Sequence, residues 1–221
     1  SAASDVYKRQ ELARRSYFGR VMYNYRNKYY IQGNIRRDGS SRFAPDSRWG
    51  TFLSASAGWV FTSENFISGT KDWFDFGKLR VSYGELGNER INGYYPYQTT
   101  LTPAYSVGYI GNTVTSLPGY SQTAAVVRDL TWETTTTYDV GVDLTFLKNR
   151  LSLTADYYYK HTDDMLLTVP IAPIIGLSDP YDNVGTMNTR GWEITLGWRD
   201  RIGDLTYSVS FNLSDDVSKM G

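Results

Sequence analysis

The chain has 221 residues, with 23 basic and 23 acidic side chains and no net formal charge, which excludes the broad positive field of a nucleic-acid-binding surface. Tyrosine dominates, 19 residues against a single His, with 6 Trp and 9 Phe; such rings favour strands and suit a membrane–water boundary. No run of about 18 apolar residues exists, which excludes a transmembrane helix but not barrel strands, whose alternation averages out as hydrophilic. Cysteine is absent, which fits an outer-membrane or periplasm-facing protein and a cytosolic one alike.

In chain order, residues 1–10 show neither alternation nor an apolar leader core, and they read as a non-native leader, foreign to the strands beyond them. Residues 17–25 predict a first strand, turned by Arg26-Asn27 into a second at 28–37, where Tyr29, Ile31, Gly33 and Ile35 alternate with Gln32, Asn34 and Arg36. A loop dense in turn formers spans 38–48. The third strand, 48–61, sets Leu53, Ala55, Ala57 and Trp59 against Ser54, Ser56 and Gly58, and the fourth, 73–86, sets Leu79, Val81 and Tyr83 against Lys78, Arg80 and Ser82. The connection 87–132 is far longer than an ordinary loop, which usually signals function or disorder, and predicts one short strand near 94–101.

The clearest hairpin is 133–147 with 150–163. Val140, Val142, Leu144 and Phe146 alternate with Asp139, Gly141, Asp143 and Thr145; beyond the turn Leu151, Leu153, Ala155, Tyr157 and Tyr159 alternate with Ser152, Thr154, Asp156 and Tyr158. A loop at 164–185 comes next. The last two strands, 186–199 and 204–214, carry Trp192, Ile194, Leu196 and Trp198, then Leu205, Tyr207, Val209, Phe211 and Leu213, on one face; residues 214–221 are expected to run into a loop.

In a meander of eight such strands the shorter connections fall on one side and the long ones on the other. That asymmetry belongs to up-and-down transmembrane barrels rather than to soluble sandwiches. Thirteen residues tilted by about 40° stand roughly 34 Å tall, more than the roughly 25 Å apolar band of such barrels. The expected fold is therefore all-β, an antiparallel barrel segment cut from a larger wall, with Val140, Val142, Leu144, Leu153, Ala155, Ile194, Leu196, Val209 and Phe211 facing lipid and Asp139, Asp143, Asp156, Glu193 and Asn212 facing the lumen. Loops 38–48, 87–132 and 164–185 should share one rim.

Several strings resemble the SusC/RagA-type TonB-linked outer-membrane transporters of Bacteroidetes. They are Tyr17-Phe18-Gly19-Arg20-Val21; Arg36-Arg37-Asp38-Gly39-Ser40-Ser41-Arg42-Phe43; Leu79 through Asn88; Trp132-Glu133 leading into Tyr138-Asp139-Val140-Gly141; and Asn183 through Ile194. The resemblance implies a plugged 22-stranded barrel in the outer membrane, importing oligosaccharides or peptides beneath a SusD-like surface lipoprotein. It also implies energy from TonB–ExbB–ExbD, engaged through an N-terminal part; on this reading residues 11–221 are a partial barrel lacking the plug and the C-terminal strands. An eight-stranded outer-membrane barrel acting as adhesin or enzyme is the alternative, and a β-sandwich lectin a weaker third.

No catalytic constellation is found, and the protein is expected to be neither an enzyme nor a cofactor or metal binder. His161, beside Asp163 and Asp164, lacks a nucleophile motif and reads as a surface histidine. Gly84, Gly87, Gly185 and Gly191 read as bulge or positive-φ positions. The substrate-contact candidates are Tyr94, Tyr95 and Tyr97, whose rings suit stacking on sugars or gripping peptides, together with Asp182 and Asn183. Asp179, Asp182 and Asn183 could also offer oxygens to Ca²⁺, though not at EF-hand spacing.

Overall fold

A computed structural model describes residues 12–65, 67, 73–91, 95–99, 101–110 and 113–221, with the backbone alone for 104–110 and 113–118. The leader at 1–10 and Tyr94 lie outside the described residues. Twelve strands are described: β1 Arg14–Tyr25, β2 Tyr29–Ser40, β3 Trp49–Trp59, β4 Phe74–Asn88, β5 Leu101–Ile110, β6 Thr113–Gln122, β7 Glu133–Phe146, β8 Leu151–Asp163, β9 Leu166–Thr168, β10 Tyr181–Asn183, β11 Met187–Ile202 and β12 Leu205–Met220. Eight of them form one sheet in the order β1-β2-β3-β4-β7-β8-β11-β12. Every neighbouring pair is antiparallel. The eight expected strands are all present. Among the described residues β1 pairs with β2 and β12 with β11, and no ladder joins β1 to β12.

Short turns close one end of this sheet. At Arg26-Asn27 both residues have positive φ (53° and 55°), the centre of a tight turn that the Lys28 N–H closes on the Tyr25 carbonyl at 3.0 Å, and the Asn24 side chain accepts from the Asn27 N–H at 3.0 Å. Leu147, Lys148 and Asn149, also at positive φ, turn β7 into β8, and Gly203 (φ 62°) turns β11 into β12. The β3–β4 connection holds a 3₁₀ turn, Phe61–Ser63.

Three departures from the sequence reading have physical causes. The connection after β4 carries a whole hairpin, β5–β6, and the strand expected near 94–101 starts at Leu101 after a turn at 96–98. Residues 214–220 continue β12, because Ser214 to Met220 keep pairing with β11 back to Met187. Of the four singled-out glycines only Gly185 has positive φ (84°). Gly87 and Gly191 instead leave room for rings: a Cβ on Gly191 would lie 2.6 Å from the Tyr158 ring, and one on Gly87 would collide with Phe52.

The ladders place the two sets of side chains on opposite faces. Val142, Ala155, Ile194 and Leu213 are mutually opposite across β7, β8, β11 and β12, and Leu144, Leu153, Leu196 and Phe211 form the next row. The rows extend through Leu79, Trp59, Tyr29 and Tyr25 to β1. The other face carries Met22, Gln32, Ser56, Ser82, Asp139, Tyr158, Gly191 and Asp216 in one row, and Arg80, Gly141, Asp156 and Glu193 in the neighbouring one. On β1 the polar face admits Phe18 and Met22.

Aromatic rings bound the apolar face at both ends. Toward the short turns runs a chain of ring contacts, Trp59–Phe61–Phe74–Phe146, with Trp73 stacked on Phe146 at 6.0 Å. Toward the loops, Tyr83, Tyr138 and Tyr159 touch in a row across β4, β7 and β8, and Tyr17 stacks on Trp49. From Phe146 to Tyr138 the strand climbs on the order of 21 Å at a 40° tilt, close to the roughly 25 Å apolar band of outer-membrane barrels.

Candidate functional site: the polar face and the loop rim

The polar face is organised by Arg80 on β4. Its Nε and Nη2 donate to Asp143 on β7 at 2.8 and 3.2 Å, and Nη2 also reaches Asp156 on β8 at 2.9 Å. Thr154 adds a hydrogen bond to Asp143 at 3.3 Å. The guanidinium crosses the intervening strand where residue 141 is glycine; a Cβ there would collide with the Asp156 carboxylate and crowd Arg80. Two hollows, of about 520 and 490 Å³, open on this face, the first lined by Asn24, Tyr30, Gln32, Lys78, Arg80 and Asp139, the second by Phe18, Arg20, Asn34, Arg36 and Asp38. The charges expected on the lumen side thus share one face. Their chemistry is hydrogen bonding and ion pairing along a wetted wall.

Beyond the polar face, the long loops are built around a small apolar core. Phe43 from 41–48, Phe52 from β3, Ile91, Leu130 and Trp132 from 89–132, and Leu166 from β9 are all buried, with Val127 and Tyr181 packed against them. Trp132 meets Phe43 at 5.1 Å and Phe52 edge-on at 5.6 Å. Polar clamps tie the same segments. Trp132 Nε1 donates to the Arg48 carbonyl, Arg42 to the Glu89 carbonyl, and the two carboxylate oxygens of Glu133 take Asn88 Nδ2 and the Leu166 N–H. The three loops therefore share one rim, as the sorting of loop lengths requires.

The sequence candidates divide there. Asn183 Oδ1 accepts from the Thr131 N–H at 2.8 Å, while Nδ2 donates to the carbonyls of Thr131 and Asp164 at 3.0 and 2.8 Å, so its side chain bolts the third loop to the second. Asp182 accepts from the Asn183 N–H at 2.8 Å. Tyr95 and Tyr97 stand edge to face, 6.3 Å between centroids. Tyr95 lines a hollow of about 230 Å³ with Pro96, Gln98, Val127, Asp179 and Tyr181, drawn from two loops. His161 pairs with Asp163 at 2.9 Å, and its other ring nitrogen meets Asn188. No group of three or more His, Cys, Asp or Glu side chains able to hold a metal ion occurs among the described residues.

The reading of the sequence missed the rim core, although Arg42-Phe43 and Trp132-Glu133 stood within the strings it singled out. Apolar residues on loops follow no period. The one signal was Phe52, apolar in a strand position whose neighbours on that face, Ser54 and Ser56, are polar.

Comparison with known proteins agrees with this geometry. Residues 1–219 match the family model described as TonB dependent receptor-like, beta-barrel. A TonB-dependent receptor of Formosa agariphila is 37% identical over 200 residues, covering 90% of this chain and 18% of the relative. The TonB-dependent receptor SusC of Bacteroides thetaiotaomicron is 33% identical over 213 residues, 93% of this chain and 21% of its own length. Among solved structures, the RagAB peptide transporter superposes with a TM-score of 0.81 at 30% identity over 95% of this chain and 22% of that one. The chain thus spans about a fifth of the length of the relatives it matches. An eight-stranded antiparallel sheet with one apolar face, one polar face and its long loops gathered at one end, matched along nearly its whole length by that family model, belongs to the TonB-dependent receptor-like β-barrel family.

Proposed function

We propose that this chain forms part of the wall of an outer-membrane transporter that imports oligosaccharides or peptides, driven by the TonB system and covered by a SusD-like surface lipoprotein. The observation that carries the reading is the two-faced sheet: an apolar face bounded by aromatic rows backs onto a charged face, beneath an interlocked loop rim. Lipid faces the first, the plug and the passing solute face the second, and the rim is the extracellular mouth. The peptide class draws support from the similar solved structure, a peptide transporter; the oligosaccharide class rests on the resemblance to the SusC/RagA-type family.

Tyr95 and Tyr97 are the rim residues proposed to grip the solute, since they present two rings at right angles beside a hollow with the acidic Asp179. Asp182 and Asn183 hold the loop that carries the far side of that hollow. Replacing Tyr95 and Tyr97 together with Ala in the intact receptor should weaken capture of its cognate solute about tenfold, each ring contributing about 0.5–1.5 kcal/mol. Equilibrium binding to purified, heat-modifiable receptor reads this. Unchanged affinity would return both tyrosines to loop packing.

A further inference from the structure

The apolar face changes character at its loop end. On β11 the residues of this face read Trp198, Leu196, Ile194, Trp192, then Arg190 and Asn188; on β12 they read Val209, Phe211, Leu213, Asp215, Val217 and Lys219. Arg190 lies opposite Tyr159 on β8 and Val217 on β12, and Asn188 opposite Lys219. These five residues, Tyr159, Asn188, Arg190, Val217 and Lys219, line a hollow of about 260 Å³. All five belong to the face that carries the apolar rows, so the hollow opens away from the lumen.

Its floor is fixed: the Tyr159 hydroxyl donates to Asn188 Oδ1 at 2.6 Å, and His161, held by Asp163, meets the same oxygen. Its two cations are not. Neither Arg190 nor Lys219 makes an ion pair among the described residues, although Asp215 and Asp163 stand on the same face. Arg190 sits one step beyond Trp192, at the level where a barrel wall leaves hydrocarbon and enters headgroups. A cation there keeps its stem against apolar neighbours, here the tyrosine ring and Val217, and turns its charge outward. Two cations and an amide around one hollow, at headgroup depth, complement an anionic phosphate.

We propose that this hollow seats the phosphorylated headgroup of an anionic outer-leaflet lipid, with Arg190 and Lys219 on the phosphate and the Tyr159 ring against the headgroup body. The proposal rests on the membrane-wall reading above.

The test uses the intact receptor that contains this segment, reconstituted in phosphatidylcholine nanodiscs containing lipid A or its dephosphorylated form, with retained lipid counted by native mass spectrometry. The receptor should retain lipid A in preference to the dephosphorylated form. Arg190→Gln with Lys219→Gln should weaken that retention roughly thirty-fold, about fivefold for each cation. Arg190→Lys should keep most of it, and heat-modifiability should certify that every variant is folded. Equal retention by receptor and double variant would overturn the proposal, as would displacement of lipid A by inorganic phosphate at matching concentration, which would make the hollow a seat for the free ion. Failure of the receptor itself to enter any nanodisc would strike the membrane reading instead, so the two failures are distinguishable.

Discussion

Arg80 reaches Asp156 across β7 only because residue 141 of that strand carries no Cβ, so one missing methyl lets three strands share a single guanidinium. Replacing Gly141 with Val should push Arg80 off Asp156 and cost more than the change of strand propensity alone would suggest. Arg80→Leu should destabilise the wall by about 1–2 kcal/mol, less than for a fully buried pair because the three side chains are 33%, 30% and 21% exposed. Denaturant unfolding of the intact receptor reads both, and a cost near zero would mean that the polar face is held by its ladder and not by its charges. At the short-turn end, in the β3–β4 connection, the Tyr29 hydroxyl, with Lys28 adding its charge, holds the Glu64 carboxylate below its usual range. A carboxylate depressed in the fold stabilises above its unfolded pKa, near 4.5, and loses that contribution as pH falls through the folded value. Glu64→Gln should therefore cost stability at neutral pH and cost progressively less below about pH 4.5. Melting profiles of the two proteins that stayed parallel through acid would contradict this.

Each strand owes its legibility to a period of two, which a single residue's slip would invert, so Val140 to Phe146 and Leu151 to Tyr159 declare their faces without any tertiary information. The rim is a different kind of element. Its core draws Phe43, Phe52, Ile91, Leu130, Trp132 and Leu166 from segments more than a hundred residues apart, and no window of sequence contains the set. The β5–β6 hairpin was missed for a related reason. Its Leu101–Ile110 and Thr113–Gln122 strands carry Pro103 and the Pro118-Gly119 pair, residues that argue against a strand interior. Asn183, named among the contact candidates, has its amide donors and acceptor engaged by backbone, an arrangement that only the folded loops reveal. Trp132→Ala should cost about 3–5 kcal/mol locally and free the loops it joins while leaving the strand ladders paired. Limited proteolysis should then cut within 41–48 and 89–132 and spare the strands. Protection equal to that of the unchanged receptor would deny the rim core its role.

At the scale of the whole molecule, one pattern joins the sequence to the proposed function: charges gathered mainly on one face, Val, Leu and Ile on the other, and aromatic rows at both limits of the apolar band. The fold was legible because every strand repeats that pattern, whereas the solute was not, because its contacts lie on loops whose placement depends on the rim core. This chain contains no cysteine, so a single cysteine introduced here has no competitor within the chain once any elsewhere in the receptor are replaced. Spin labels placed in turn at residues 138 to 145 of β7 in the intact receptor, in lipid, test the central claim most directly through their accessibility to oxygen and to a water-soluble nickel reagent. Labels at Tyr138, Val140, Val142 and Leu144 should favour oxygen and those at Asp139, Gly141, Asp143 and Thr145 nickel, alternating residue by residue. Uniform accessibility along the strand, or the same alternation with its phase reversed, would contradict a membrane wall with this face toward lipid.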